Sequence, residues 1–172
     1  MIKLLILDVD GVLTDGTKVY SENGLGRMKS FCDKDFTAIK RIKASGVKVC
    51  FLSGDENVNR SVANNRNIDF YFARGKNKKD FLEKFCMIYE CSSEEICFVG
   101  DDIFDLDLLK NIKYSFCPSD SCSEVKKICL HVLSKKGGEN LIMELYDYLL
   151  SIKLITEADL ESVMALDEAE NF

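Results

Sequence analysis

The chain has no tryptophan, one proline and one histidine in 172 residues. With a single proline there is no proline-rich linker to divide it, and no internal repeat or low-complexity stretch marks a second domain. His131 follows an apolar run and reads as a packed strand residue rather than a catalytic base. No apolar run approaches the roughly 18 residues of a membrane span. The N-terminus, Met1–Gly11, lacks the longer apolar region and small-residue cleavage site of a signal peptide. An excess of positive charge is missing too. The net charge of −6 argues against binding nucleic acid by phosphate neutralisation. Eight cysteines are present, at 32, 50, 86, 91, 97, 117, 122 and 129, but no pair has CxxC spacing. Without a secretion signal they read as reduced thiols of a cytoplasmic protein. Cys50 and Cys97, inside apolar runs, read as small hydrophobes. The same context empties the Asn59-Arg60-Ser61 sequon of meaning.

What is present is ordinary globular composition, 47% hydrophobic and 30% charged, at a length that fits one domain. Short apolar runs alternate with segments of helical period. The runs are 2–7, 47–52, 70–72, 96–99, 114–117 and 129–133. Phe36, Ile39 and Ile42 recur at helical spacing, as do Phe81, Leu82, Phe85, Ile88 and Tyr89. This rhythm predicts an α/β fold, a Rossmann-like parallel sheet with helices on both faces. Residues 17–31 break it with two short strand-like pieces around a Ser-Glu-Asn-Gly turn, which predicts a β-hairpin inserted after strand 1.

The first strand runs into Asp8-Val9-Asp10-Gly11-Val12-Leu13-Thr14-Asp15-Gly16. Carboxylates two residues apart on a strand share a face. At the carboxyl edge of a parallel sheet both would meet the crevice where such folds bind ligands. The apolar run 96–99 leads into a second acidic cluster, Gly100-Asp101-Asp102-Ile103-Phe104-Asp105. Two such clusters in one sheet suit a hard cation such as Mg²⁺. A third strand ends in Ser53-Gly54, a hydroxyl and a free amide suited to phosphate. Lys76, Lys78 and Lys79 stand where a helix begins, an unfavourable place for a cation unless an anion is near.

In that order, DVDGVLTDG, a strand-end serine, a downstream lysine and GDDIFD resemble the haloacid dehalogenase superfamily of phosphohydrolases, over about residues 1–150. Within it the chain resembles the small, cap-less phosphatases of 3-deoxy-ulosonate sugars. The carriers are the short hairpin, Lys29-Ser-Phe31 before Asp35, and Lys-Lys-Gly-Gly-Glu at 135–139. The resemblance implies Asp8 as nucleophile and Asp10 as general acid and base. It implies a Mg²⁺ site from Asp8, the Asp10 carbonyl and Asp101, supported by Asp102 and Asp105. Ser53 and Gly54 would bind phosphoryl oxygens, and Lys78, with Lys79 as the alternative, would neutralise charge. It also implies a homotetramer in which neighbours' hairpins and Gly-Gly segments close the site, with Val19, Tyr20, Leu25, Met28 and Phe31 as candidate contacts.

The resemblance leaves the substrate open. Octulosonate enzymes typically carry Gly-Arg after the strand-end hydroxyl, where this chain has Gly54-Asp55. An acid there resembles the nine-carbon relatives and favours a nonulosonate 9-phosphate, with octulosonate 8-phosphate as the alternative. Asp55 and Arg74 are the candidate specificity residues, Arg74 for a substrate carboxylate. A non-catalytic oligomerisation module, like those attached to some cytidylyltransferases, is the rival class, and the full catalytic set speaks against it. A receiver domain would lack the DxDGxxTDG order. Residues 154–172 contain six acids and no Lys or Arg, so residues 1–153 are formally neutral. This predicts a phosphatase domain over 1–153 and an acidic extension over 154–172, either frayed or helical with Thr156 opening a capping box.

Overall fold

The computed structural model describes residues 1–20 and 27–171. Strand β1 (Leu4–Leu7) is followed by β2 (Val19–Tyr20) and β3 (Arg27–Met28), then α1 (Asp33–Ala44), β4 (Lys48–Ser53), α2 (Asn57–Asn65) and β5 (Asp69–Phe72). Next come a 3₁₀ turn (Lys78–Phe81), α3 (Leu82–Ile88), β6 (Ile96–Val99), α4 (Leu106–Asn111), β7 (Tyr114–Cys117), α5 (Ser123–Ile128), β8 (His131–Val132), α6 (Leu141–Ser151) and α7 (Leu160–Glu168). Six strands form one parallel sheet in the order β5-β4-β1-β6-β7-β8. The chain winds outward from β1 in both directions. The strand order therefore reverses beside β1, and its carboxyl end is the crevice where such sheets bind ligands.

Both faces of the sheet are covered. Leu5, Leu7, Val49, Phe51 and Val99 point to one core, with Phe36, Ile39 and Ile42 of α1 and Leu141, Leu145 and Leu149 of α6. Leu4, Ile6, Cys50, Leu52 and Phe98 point to the other, with Phe85 of α3, Leu108 of α4 and Val125 of α5. The alternation along β1 follows the two-residue period of a strand. With all four of its residues fully buried, the strand reads as a continuous apolar run. Truncating Leu7 to Ala would cost about 2–5 kcal/mol at such a site.

The inserted β2–β3 pair is antiparallel, with Val19 opposite Met28. The expected turn and Leu25 lie outside the described residues. Val19, Tyr20 and Met28 are exposed, whereas Phe31 packs against Phe36 of its own chain at 5.8 Å. The expected strand over 129–133 shrinks to His131–Val132, because the Leu130 amide bonds the Ser115 hydroxyl instead of continuing the ladder. His131 stacks on Tyr148 at 4.4 Å, a packing role.

The C-terminal segment is not frayed. Leu154 and Ile155 are buried, and the Leu154 carbonyl accepts from the Ile2 amide. Helix α7 starts three residues later than the expected capping box. Asp159, not Thr156, is its N-cap, accepting from the Ser162 amide at 2.8 Å, because 156–159 lies outside the helix. Two acids at its end face the body: Asp167 of α7 and Glu170 beyond it pair with Lys40 of α1, and Glu170 also holds Arg66 at 2.7 Å.

Candidate active site

Asp8 stands one residue past β1, its amide still bonded to the Val99 carbonyl at 3.0 Å, so the sheet itself fixes its position. The side chain is buried, and Oδ1 accepts from the Val9 amide at 2.8 Å. Lys78 Nζ lies 3.1 Å from Asp8 Oδ1 and 2.6 Å from Asp105 Oδ1. The direction of Lys78 comes from the turn before α3. The Asn77 side chain caps that turn through the Lys79 amide, so Lys78 points inward and is buried while Lys79 faces solvent. Burial alone would lower the pKa of Lys78, but the carboxylates of Asp8 and Asp105 outweigh it and raise it. The unfavourable cation at the start of this helical segment is therefore balanced by internal carboxylates.

Asp105 is fully buried, and its Oδ2 accepts from the amides of Asp101 and Asp102 at 3.0 and 3.2 Å. With Oδ1 on Lys78, both its oxygens are committed to shaping the loop. Gly100 permits this approach, since a Cβ there would meet the Asp105 side chain at 2.7 Å. Asp102 is exposed, its Oδ1 on the Ile103 amide. Gly11, at φ +87°, leaves room for the Asp101 carboxylate, which would lie 2.0 Å from a Cβ. Gly137 and Gly138 in turn pack on the 11–15 loop of their own chain, the Gly138 amide on the Val12 carbonyl at 2.9 Å. The Gly-Gly segment, which the resemblance has closing a neighbour's site, thus has its backbone seated on the 11–15 loop of its own chain.

Asp8, Asp101 and Asp105 each offer an oxygen within 4.8 Å of the others. Asp101 Oδ1 is buried with no hydrogen-bond partner among the described residues. Burial first, then repulsion from Asp8 and Asp105, pushes Asp101 up to about 8. Burial pushes Asp8 up to about 7 against the pull of Lys78. An orphaned buried oxygen among carboxylates that resist ionising together fits a divalent cation, which would take Asp8 and Asp101 as ligands. The Asp10 carboxylate is not in this cluster.

Asp10 turns instead to the hairpin and α2. Its Oδ1 is 2.6 Å from Lys29 Nζ, and its Oδ2 accepts from Asn59 Nδ2 at 3.0 Å. Asn59 Nδ2 also reaches Ser53 Oγ at 3.0 Å, and Ser53 Oγ accepts from the Asp55 amide at 3.2 Å. Two N–H donors on that oxygen leave the hydroxyl proton free to be donated into the cavity. Asp55 Oδ2 is held by Lys18 at 3.0 Å and Lys29 at 2.9 Å. Burial would raise its pKa, but the two lysines outweigh it and hold it at about 2. Asp8, Asp10, Ser53, Gly54, Asp55, Arg74, Lys78, Asp101, Asp102 and Asp105 all line one cavity of about 600 Å³, together with Lys18 and Lys76. Arg74 is exposed at its rim. Lys79 is absent from the lining. In the sequence, Lys29 has no role beyond its place in the Lys29-Ser-Phe31 stretch that carries the resemblance, and Asn59 none beyond its sequon.

A strand-end carboxylate with a buried lysine, a hydroxyl and a second acidic loop, at the reversal point of a parallel sheet, defines a phosphoryl-transfer hydrolase. The profile of the haloacid dehalogenase-like hydrolases matches residues 55–140. The 3-deoxy-D-manno-octulosonate 8-phosphate phosphatase of Haemophilus influenzae is 33% identical over 150 residues, covering 87% of this chain and 83% of that protein. The chain belongs to the haloacid dehalogenase-like hydrolases, as a phosphoric monoester hydrolase in the family of the octulosonate 8-phosphate phosphatases. The cobalt-bound structure of the Haemophilus enzyme superposes with a TM-score of 0.80 at 33% identity, covering 87% of this chain and 88% of that one. The phosphatase of Moraxella catarrhalis, solved with magnesium, phosphate and the sugar acid, shares the fold with a TM-score of 0.81 at 22% identity, covering 87% and 86%.

Proposed function

We propose that this chain is a Mg²⁺-dependent phosphatase that hydrolyses 3-deoxy-D-manno-octulosonate 8-phosphate through an aspartyl-phosphate. The observation that carries the reading is the buried Asp8 carboxylate, held by Lys78 beside Asp101 on a cavity wall that also carries the Ser53 hydroxyl. A divalent cation bound to Asp8 and Asp101, with the Asp10 carbonyl implied by the resemblance, supplies positive charge that offsets the carboxylates and the phosphoryl oxygens. Asp8 attacks phosphorus as the bond to the sugar oxygen breaks, and Asp10 gives that oxygen its proton. A water then attacks the aspartyl-phosphate, Asp10 takes the water's proton, and phosphate leaves with Asp8 restored. Ser53, the Gly54 amide and Lys78 hold the phosphoryl oxygens throughout.

The acid at position 55 favoured a nine-carbon substrate, but two observations support the eight-carbon one. Asp55 is occupied by Lys18 and Lys29, so it does not confront the substrate as an unbalanced negative charge. The relative at 33% identity is an octulosonate 8-phosphate phosphatase. Arg74 and Lys76 at the rim suit the sugar's own carboxylate. The proposal includes a homotetramer in the cytoplasm. The exposed Val19, Tyr20 and Met28 on the hairpin support the assembly, and no helix of the described residues is long and apolar enough to cross a membrane. Phosphate release from octulosonate 8-phosphate, keto-deoxynononate 9-phosphate and N-acetylneuraminate 9-phosphate with Mg²⁺ tests the substrate. A higher kcat/KM for either nine-carbon ester would sink the eight-carbon reading. Sedimentation velocity tests the tetramer, and a monomer would refute it.

A further inference from the structure

We propose that Lys29, carried by the inserted hairpin, is a positioning residue for Asp10, working through a clamp shared with Asn59 and Asp55. The proposal rests on the proton-transfer role given to Asp10 above. Lys29 follows β3, and its side chain is fully buried. An ammonium group is taken out of water only where partners compensate it. Lys29 has three around Nζ: ion pairs with Asp10 Oδ1 at 2.6 Å and Asp55 Oδ2 at 2.9 Å, and a hydrogen bond donated to Asn59 Oδ1 at 2.8 Å. A lysine with one partner swings, but one with three is fixed.

Asp10 needs that support. β1 ends at Leu7, so Asp10 sits in the loop beyond the ladder, and no strand pairing sets its side chain. Lys29 takes one of its oxygens and Asn59 the other. Asn59 is fully buried, and the same amide nitrogen touches Ser53, so the group that would handle the leaving oxygen and the group that would hold the phosphate share one support. Asp55 supplies the second negative charge that lets a lysine be buried beside Asp10, and Lys18 keeps Asp55 in place. Proton transfer needs donor and acceptor within hydrogen-bond reach. An Asp10 free to rotate would therefore fail on leaving groups that must be protonated and succeed on those that need no proton.

The test compares first-turnover release of the leaving group from octulosonate 8-phosphate and from p-nitrophenyl phosphate, in wild type, Lys29→Met and Asp10→Asn. If the wild type rejects octulosonate 8-phosphate, any sugar phosphate it turns over serves instead, so failure of the substrate reading is seen separately. In Lys29→Met, sugar release is expected to slow at least about tenfold while p-nitrophenol release changes less than about threefold, the same asymmetry as in Asp10→Asn. Equal slowing of both esters in Lys29→Met, with asymmetry in Asp10→Asn, would show a merely structural lysine and overturn the inference. So would no slowing of either. Equal slowing of both in Asp10→Asn would overturn the role of Asp10, and the inference with it. Thermal melts check that Lys29→Met folds. If it does not, Lys29→Gln, which is uncharged and whose two N–H bonds cannot serve three partners, is expected to show the same asymmetry, and its absence there overturns the proposal.

Discussion

Lys78 lies 3.1 Å from Asp8, although seventy positions separate them in the chain. The contact joins the first motif to the turn that opens α3, and it separates two adjacent lysines. Lys78 is buried between Asp8 and Asp105, while Lys79 is exposed and outside the cavity. Lys78→Ala is expected to lower kcat/KM on a sugar phosphate by about 10²–10³, the usual loss for a donor aimed at developing charge in a dry site. Lys79→Ala is expected to stay within about twofold of wild type. Steady-state assays on both variants check this, and equal losses would undo the assignment.

The same contact shows what sequence order reveals of such a site. Asp8, Asp101 and Ser53 each end an apolar run, and a strand followed by a polar group is a local pattern. The parallel sheet was legible for the same reason: β1, β4 and β6 are continuous apolar runs because both their faces are covered. Lys29 and Asn59 carry no such mark. They stand 19 and 49 positions from Asp10, and only the pairing of the hairpin and the packing of α2 bring them to it. Asn59 sat in a sequon that meant nothing, yet it is fully buried in the site. The sequence shows the acids of 154–172 without their partners, because Lys40 and Arg66, which hold Asp167 and Glu170, belong to α1 and the end of α2. Local propensity placed a cap at Thr156, but where Leu154 and Ile155 are buried fixes where the helix can begin.

Cation binding should depend on pH in a direction set by burial. Without a cation, burial pushes Asp8 up to about 7 and Asp101 up to about 8. Between about pH 4 and pH 8 the folded chain therefore holds protons the unfolded chain has released, and these carboxylates cost stability as pH rises. A cation must displace those protons. The rise in Tm on adding Mg²⁺ is expected to grow from pH 6 to pH 8, by roughly 5 °C across that window. Differential scanning fluorimetry with Mg²⁺ and with a chelator measures it. A Tm increment that is flat or falls over the window would contradict the cation site. Removing the cation with the chelator is expected to abolish phosphate release, and adding Mg²⁺ back to restore it.

A second pH effect arises away from the cavity. Asp35 of α1 is buried against the first turn of α6, where its Oδ1 accepts from the Ile142 amide at 2.7 Å. Burial pushes it up to about 6, against the pull of the Ile142, Met143, Leu141 and Asn140 amides. Between about pH 4 and pH 6 the folded chain keeps a proton that the unfolded chain loses, so this carboxyl costs stability as pH rises through that window. Asp35→Asn keeps an acceptor for the amide but cannot ionise. Its Tm relative to wild type is expected to improve from pH 4 to pH 7 by a few degrees, about 5 °C at most. A constant difference across that range would mean that Asp35 ionises as freely as in the unfolded chain.

Asp55 gives a prediction in which geometry and motif comparison part company. As a residue chosen for a nine-carbon sugar, it should alter the ratio of rates between substrates when changed. As the anchor of Lys18 and Lys29, it should affect every substrate alike, because its loss leaves Lys29 buried with one fewer counter-charge and Lys18 without its hold on α2's approach. Asp55→Asn keeps the shape and removes the charge. On the anchoring view it lowers kcat for octulosonate 8-phosphate and the nine-carbon esters by the same factor, about tenfold, with the ratio of their kcat/KM values constant within about twofold. It is also expected to lower Tm, since truncating one partner of a buried charge pair leaves the other uncompensated. A shift of the ratio by tenfold or more, with Tm unchanged, would return Asp55 to direct contact with the sugar and reopen the nine-carbon reading.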